Sequence, residues 1–398
     1  MGRTLCFIWA CMTQIGLPAQ SAWSIVPSGT TADLYSFNSK PKYVITGDSG
    51  IVLVSDDLGV TWPMLPVVTT LCLKDSKSAS SHDCFVVGDD TMILFSRDSL
   101  QSWASYGSIP GPSPLSFNAV AGDLDSNARF FADSGFTLRI YDNVWYTGNL
   151  IGTEDLLDGN GTMDTMITCG TNGFIAQTAD DGGSWSYPVS GTLEDLNGLY
   201  FSTSRSLICG NNGTILTDFG TLGLNWSPLN SGTTEDLNAI YAFGDTLFAC
   251  GNGGTIINSL NGGLSWTIQS TPITSDLNDI YCVSSSDCWA VGDSGIILHT
   301  TTSGIPLSHG DHSMWGSVPQ LIPNPCHDRT ELRYGGPSSG RVIVADGSGR
   351  IVLDQAVMRE GDNVTVLEID TRWLSAGVYS VTLTSSSLRS VSMLVVEN

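Results

Sequence analysis

Short segments in which apolar and polar residues alternate recur along most of the chain, separated by turns rich in Gly, Asn and Asp. The clearest unit starts at Asp236. DLNAIY (236–241) alternates, TLFAC (246–250) follows it, Gly253 and Gly254 turn the chain, and TIINS (255–259) and a segment starting at Trp266 complete the unit. A period of two, β-branched residues and Gly/Asn turns predict short strands joined by hairpins. The stretch Gly251–Trp266 has close counterparts at Gly47–Trp62 and Gly170–Trp185 and looser ones at Gly88–Trp103 and Gly210–Trp226. Ala132–Trp145 is a worn copy, and Gly292–Gly304 begins one without finishing it. The spacing of these starts is roughly 40 residues, and four strands per such period predict a propeller blade rather than a horseshoe repeat.

Tryptophan fixes the number of blades. Trp62, Trp103, Trp145, Trp185, Trp226 and Trp266 each open a fourth strand, and the seventh repeat, from Asp276, lacks one. The missing piece is at the other end of the chain. Residues 23–34 match Trp226–Leu237, and Trp23 precedes Asp33 by ten residues, as Trp226 precedes Asp236. Residues 23–26 are therefore expected to supply the outer strand of blade seven and close the ring, which removes the open sheet edges. The fold class is all-β: a seven-bladed propeller closed by its N-terminal strand, then a small β-sandwich.

The expected domains are a signal peptide over 1–21, the propeller over 22–302, a linker over 303–320 and a C-terminal domain over 321–398. Residues 1–21 combine Arg3, an apolar run from Leu5 and small residues at Ala19, Ser21 and Ala22, the pattern of a secretory signal. Cys11 sits in a poor lipobox context, after Trp9 and Ala10. No other apolar run is long enough to span a membrane. From Leu321 the pattern changes to ProAsnPro (323–325), AspGlySerGlyArg (346–350) and Leu374–Tyr379 (LSAGVY), with alternating strands between them. These three motifs, in this order, resemble the C-terminal sorting domain of the type IX (Por) secretion system. The final strand departs from the family, with Leu388 and Arg389 where a Lys-rich start is usual. The resemblance implies transport across an outer membrane to the cell surface or beyond, with the secretion machinery as partner and frequent removal of the domain at the surface.

Within the propeller, Ser55, Asp57, Gly59, Thr61 and Trp62 fit S-x-D-x-G-x-T-W, and Thr178, Asp180, Gly182, Ser184 and Trp185 fit it too. This resembles the Asp-box, or BNR repeat, of sialidases and other propellers. Its chemistry is local, with Asp and Ser/Thr side chains bonding turn N–H groups, and a motif repeated in blade after blade reads as structural. The whole pattern looks most like the photosystem II assembly and stability factor propellers and their secreted relatives. Fold does not carry function with it, and a surface-sorting tail does not suit a photosynthetic assembly factor.

Cysteine use agrees with export. Cys282–Cys288 and Cys72–Cys84 are expected as hairpin disulfides, since Cys84 and Cys288 each stand four residues before the repeat Gly. Cys169, Cys209 and Cys250 share one repeat position and read as small buried hydrophobes. SIPGPSPL (108–115) is expected as an irregular loop. DGNG at 158–161 imitates a calcium loop but aligns as a hairpin tip. His299, His309 and His312 lack the spacing of a metal site, and no metal is expected.

The formal charge of −23 argues against nucleic acid, which rewards Lys and Arg. Arg97, Arg129, Arg139 and Arg205 are few for a sialidase-type arginine triad, and none sits in a matching motif. GDSG at 47–50 and 292–295 is the repeat turn, not a serine-protease site, so no catalytic residue is assigned. Asp48, Asp89, Asp133 and Asp293 follow the repeat Gly, or its equivalent, in blades one, two, three and seven, forming an acidic arc on one face. That arc is the candidate ligand or cation site, with calcium the one cofactor considered. The expected function is a secreted, monomeric, non-catalytic binding or scaffold module for a surface protein or glycan. The alternative is a glycan-active hydrolase, which needs two carboxylates across a cleft.

Overall fold

The computed structural model describes residues 22–304 except 40–41, 67–68, 79–83, 107–108, 113, 125–126, 143 and 163. It also describes residues 320–396 except 323–325, 327, 335–338, 347–349, 359–364, 373 and 385–388. The expected signal peptide, His309, His312 and the ProAsnPro motif lie outside the described residues. The chain divides into two compact units, 1–307 and 308–398.

The first unit is a ring of seven antiparallel sheets. The inner strands are Leu34–Asn38, Leu73–Ser78, Phe117–Leu124, Leu156–Gly161, Leu196–Phe201, Leu237–Phe243 and Leu277–Cys282, in blades one to seven. In blade seven, Ser24–Val26 pairs with Ile296–Thr300, Ser24 opposite His299 and Val26 opposite Ile297, so the chain start supplies the outer strand and closes the ring. The repeat Gly ends the second strand of its blade. A Cβ at Gly47 would collide with the Asp33 carbonyl oxygen, and one at Gly251 with that of Asp236, so the close backbone approach requires glycine.

An apolar cluster fills each joint between blades, and a tryptophan takes part in every one, facing the preceding blade. Trp62 packs with Val291 and Trp289 of blade seven, Trp103 with Val44 and Val54 of blade one, and Trp145 with Phe85 and Val87 of blade two. Trp185 joins Phe131, Trp226 joins Ile167, Trp266 joins Leu207, and Trp23 joins Phe248. Each indole thus removes a large apolar area from water at a joint.

Local side-chain bonds of one pattern shape the turn before the tryptophan in blades one, two, four and six. Gly59 N–H donates to Ser55 Oγ (2.8 Å), and the Thr61 N–H and hydroxyl donate to the two oxygens of Asp57 (2.9 and 2.6 Å). Blade two repeats this with Ser96 and Asp98, blade four with Thr178 and Asp180, and blade six with Ser259 and Asn261.

The cysteines divide. Cys282 and Cys288 face each other across their hairpin and are joined by a disulfide. The expected Cys72–Cys84 bond is not formed. Ser78, not Cys72, is the partner of Cys84, and Cys72 precedes Leu73 at the far end of the same strand. A six-residue strand holds its ends roughly 20 Å apart, beyond the reach of a disulfide. Residues 158–161 also differ from expectation, for they lie within an inner strand whose hairpin turns after Gly161.

In the second unit, Gln320–Ile322, Arg329–Tyr334 and Thr365–Asp370 form one sheet. Ile351–Met358, Ser339–Ala345, Gly377–Thr384 and Arg389–Val396 form another. They share a core of Leu332 and Ile369 from the first sheet with Val342, Val344, Val381 and Leu394 from the second. Asp346 and Arg350 close their turn: Asp346 N–H donates to Arg350 O, Arg350 N–H donates to Asp346 Oδ1 (both 3.0 Å), and the side chains form an ion pair of 3.2 Å, while the Tyr379 hydroxyl donates to Ser375 O.

Candidate functional site

The seven inner strands surround a central channel, a cavity of about 760 Å³. Each inner strand shifts register near its start, for example between Leu73 and Asp75, between Leu156 and Asp158 and between Leu277 and Asp279. Such a bulge re-aims the side chains on either side of it. The third residue of the inner strand is Ser36, Asp75, Ala119, Asp158, Gly198, Ala239 and Asp279 in blades one to seven. Three carboxylates therefore line the channel, on blades two, four and seven.

Each of the three connects two blades. Asp75 Oδ1 accepts from Ser76 N–H (2.7 Å) and the Ser36 hydroxyl (3.0 Å), and its Oδ2 accepts from Val120 N–H (2.8 Å) in blade three. Asp158 accepts from Gly159 N–H and from Leu199 N–H in blade five (both 2.6 Å). Asp279 accepts from Ile280 N–H and from Phe37 N–H in blade one (both 2.7 Å). The third residue of the receiving blade is Ala119, Gly198 or Ser36, small enough for the carboxylate to pass. Burial raises all three acids against the pull of these bonds. Asp158 is pushed up to about 7, with the Asp75 charge adding to burial. Asp279 is pushed up to about 8, with Asp75 and Asp158 adding.

One side of the channel is aromatic. Tyr200, Tyr241 and Tyr281, from blades five, six and seven, form a continuous run with ring centroids 5.3 and 4.6 Å apart, and behind Tyr281 the Phe37 ring of blade one is buried between Tyr281 (5.7 Å) and Trp289 (6.0 Å). Lys77 lines the opposite part, beside Asp75 and Asp158.

The acidic arc occupies the ring face that carries the turns between second and third strands. Asp48, Asp133 and Asp293 open 3₁₀ turns, and Asp89 stands at the equivalent place in blade two. Their carboxylates are engaged by the protein. Asp89 pairs with Lys74 (3.0 Å) and accepts from the Ser116 hydroxyl (2.8 Å). Asp133 and Asp293 accept from Asn118 and Asn278 (2.8 and 3.0 Å). Asp48 accepts from the Cys72 thiol, which burial, followed by this bond, pushes up to about 12. On the same face, Asp33, Asp155, Asp195, Asp236 and Asp276 each accept from the middle N–H of the 3₁₀ turn of the preceding blade, at Ser294, Ser134, Asn172, Asn212 and Gly253. Among the described residues no group of three His, Cys, Asp or Glu side chains is placed to hold a metal ion. His299 stacks on Trp289 and pairs with Asp287 (2.9 Å).

The channel acids are the residues that repeat reading alone does not single out. Their signal is the triplet Leu-x-Asp at 73–75, 156–158 and 277–279, visible once the inner strands are superposed on the repeat Gly.

Residues 320–397 match the secretion system C-terminal sorting domain family. No curated protein shows significant similarity to the chain. Among solved structures, YCF48 bound to D1 peptide is similar with a TM-score of 0.60 at 19% identity, over 71% of this chain and 97% of that one. YCF48 from Cyanidioschyzon merolae gives 0.59 at 16%, over 70% and 98%. PorZ of Porphyromonas gingivalis, described as an essential bacterial surface component of the type-IX secretion system, gives 0.55 at 12%. That match spans 92% of this chain and 59% of PorZ. At these identities the likeness shows the fold. The sorting domain shows the destination, and the chain is a seven-bladed β-propeller sent by the type IX secretion system to the cell surface or the extracellular space.

Proposed function

We propose that this protein is a non-catalytic binding module displayed outside the cell, taking a protein or glycan ligand at its central channel. One observation carries the reading: in each of the three channel carboxylates one oxygen accepts the N–H of the next residue in its own strand and the other accepts a backbone N–H of the following blade, with the Ser36 hydroxyl of blade one added at Asp75. Carboxylates fixed in this way join blades and line a wall, whereas hydrolysis of a glycosidic bond needs one carboxyl free to give its proton and a second free to act on the sugar or a water. The arc at the 3₁₀ turns is the weaker candidate for a cation, calcium included, since protein donors already occupy its carboxylates. A variant with Asp48, Asp89, Asp133 and Asp293 changed to Asn, set against one with four distant acids neutralised, tests it. Equal loss of calcium binding in both removes the arc.

A glycan hydrolase is the second reading, favoured by Asp158 and Asp279, whose raised values suit a general acid near neutral pH. Incubating the purified protein with panels of polysaccharides and peptides separates the two. Binding without product supports the module. Release of reducing sugar that Asp158→Asn or Asp279→Asn abolishes supports the hydrolase and overturns it.

A further inference from the structure

The channel wall is uneven in charge and in character. Lys77 acts on Asp75 and Asp158, whereas the neighbouring charges that act on Asp279 are those of Asp75 and Asp158, both negative. Asp279 also lies where the aromatic run is densest. Tyr281 is two residues further along its own strand, Tyr241 stands 4.6 Å from Tyr281 centroid to centroid, and the Phe37 backbone is bonded to the carboxylate itself. Each Asp279 oxygen accepts one N–H and keeps a second lone pair, since an ionised carboxylate offers about four acceptor sites. A carboxylate beside aromatic faces is the combination that attracts an organic cation, through charge and through the ring quadrupoles. A bare metal ion is poorly matched, because it requires several oxygen ligands converging on one point, and the three channel acids are distributed over blades two, four and seven.

We infer that Asp279, with Tyr241 and Tyr281, forms a receptor for a guanidinium or ammonium group carried on the flexible stem of a peptide side chain. This rests on the reading of the channel as a binding site and names the chemistry it takes. The cavity of about 760 Å³ has room for such a stem.

Proton release should accompany binding. Burial, with the Asp75 and Asp158 charges adding, pushes Asp279 up to about 8, and a cation alongside it favours the ionised form. The other titratable groups around it are Tyr281 on its own strand, Tyr241 and Cys250 of blade six, Cys209 of blade five, and Asp75, Asp158 and Lys77 across the channel. Burial raises Tyr241 and both thiols further above the neutral range, whereas it brings Asp279 and Asp158 up into that range.

The test is calorimetric titration of the purified protein with N-acetyl-arginine amide, with its neutral analogue N-acetyl-citrulline amide and with spermidine, in buffers of different ionisation enthalpy. The expected result is binding of the arginine probe and not of the citrulline probe, tightening at least tenfold from pH 6 to pH 9 with net release of protons. Asp279→Asn and Tyr241→Leu should each weaken it at least tenfold while circular dichroism shows an intact fold. Spermidine binding tighter than the arginine probe would overturn the peptide source. Equal binding of arginine and citrulline probes, no binding of either, or no proton release would overturn the receptor, and the proton measurement needs no variant. The two readings fail separately. Peptide or glycan capture that is insensitive to Asp279 and Tyr241 leaves the binding module standing and removes the cation receptor, whereas sugar release dependent on Asp279 removes the module.

Discussion

The ring closure can be tested by Trp23→Ala. Trp23 is 1% exposed, sits edge-on to Phe248 at 6.3 Å, and belongs to the cluster with Leu277, Ile280 and Leu298 that joins blades six and seven. The strand that directly follows it, Ser24–Val26, is only three residues long and among the described residues pairs only with Ile296–Thr300. Removing the indole takes roughly 200 Å² of apolar contact from the joint, about 5 kcal/mol by area, and measured Trp→Ala losses in cores are about 3–5 kcal/mol. Urea unfolding followed by tryptophan fluorescence and by circular dichroism gives the difference directly. Trp62→Ala, at 7% exposure in the equivalent place between blades seven and one, is the control within the continuous chain. The loss expected for Trp23→Ala matches that of Trp62→Ala to within about 1–2 kcal/mol, within the spread of such substitutions. A Trp23→Ala protein with unchanged stability, beside a destabilised Trp62→Ala, would refute closure by the N-terminal strand.

Stability of the propeller should fall as pH rises from about 4 to about 8. Asp158 and Asp279 hold protons more tightly folded than unfolded, so their contribution is complete below the unfolded value and is lost through the folded one. Melting curves at pH 5 and 8 check this, and Asp279→Asn should flatten the slope while losing one inter-blade bond, about 1–3 kcal/mol. Cys282→Ser with Cys288→Ser should cost about 2–3 kcal/mol for a loop of this length. Peptide mapping of the unreduced protein should find Cys282 joined to Cys288 and no Cys72–Cys84 bridge; finding that bridge would contradict the strand register. Deletion of residues 320–398 should leave a folded propeller behind in the periplasm, as cell fractionation would show, and its appearance at the surface would contradict the sorting assignment.

The architecture was legible because the residues that build it recur for steric reasons that do not vary between blades. The repeat Gly is fixed by close backbone approach and the tryptophan by the joint it fills, so both survive where the rest of a unit has changed. The channel was not legible for the opposite reason. Its seven positions, Ser36, Asp75, Ala119, Asp158, Gly198, Ala239 and Asp279, differ from blade to blade, because the third residue gives a carboxylate in one blade and room for it in the next. A search for sameness passes over such a division of labour. The Cys72–Cys84 expectation failed on register: Cys84 was placed correctly against the repeat Gly, but Cys72 holds the place that Asp33 and Asp276 hold in blades one and seven. There its thiol donates to Asp48, whereas the five loop-leading aspartates accept from the neighbouring turn.

Those five aspartates give the ring a direction. Each reaches back to the turn of the blade before it, and Asp33 at the chain start does the same for Ser294 near the end of the ring. The contact that shuts the circle is thus the same as those along its circumference, made by the first blade toward the last. A latch of this kind carries no information about how many blades lie between its halves. Gain or loss of a whole unit during evolution would leave each joint chemically intact, and the number seven is left to the angle at which the sheets pack.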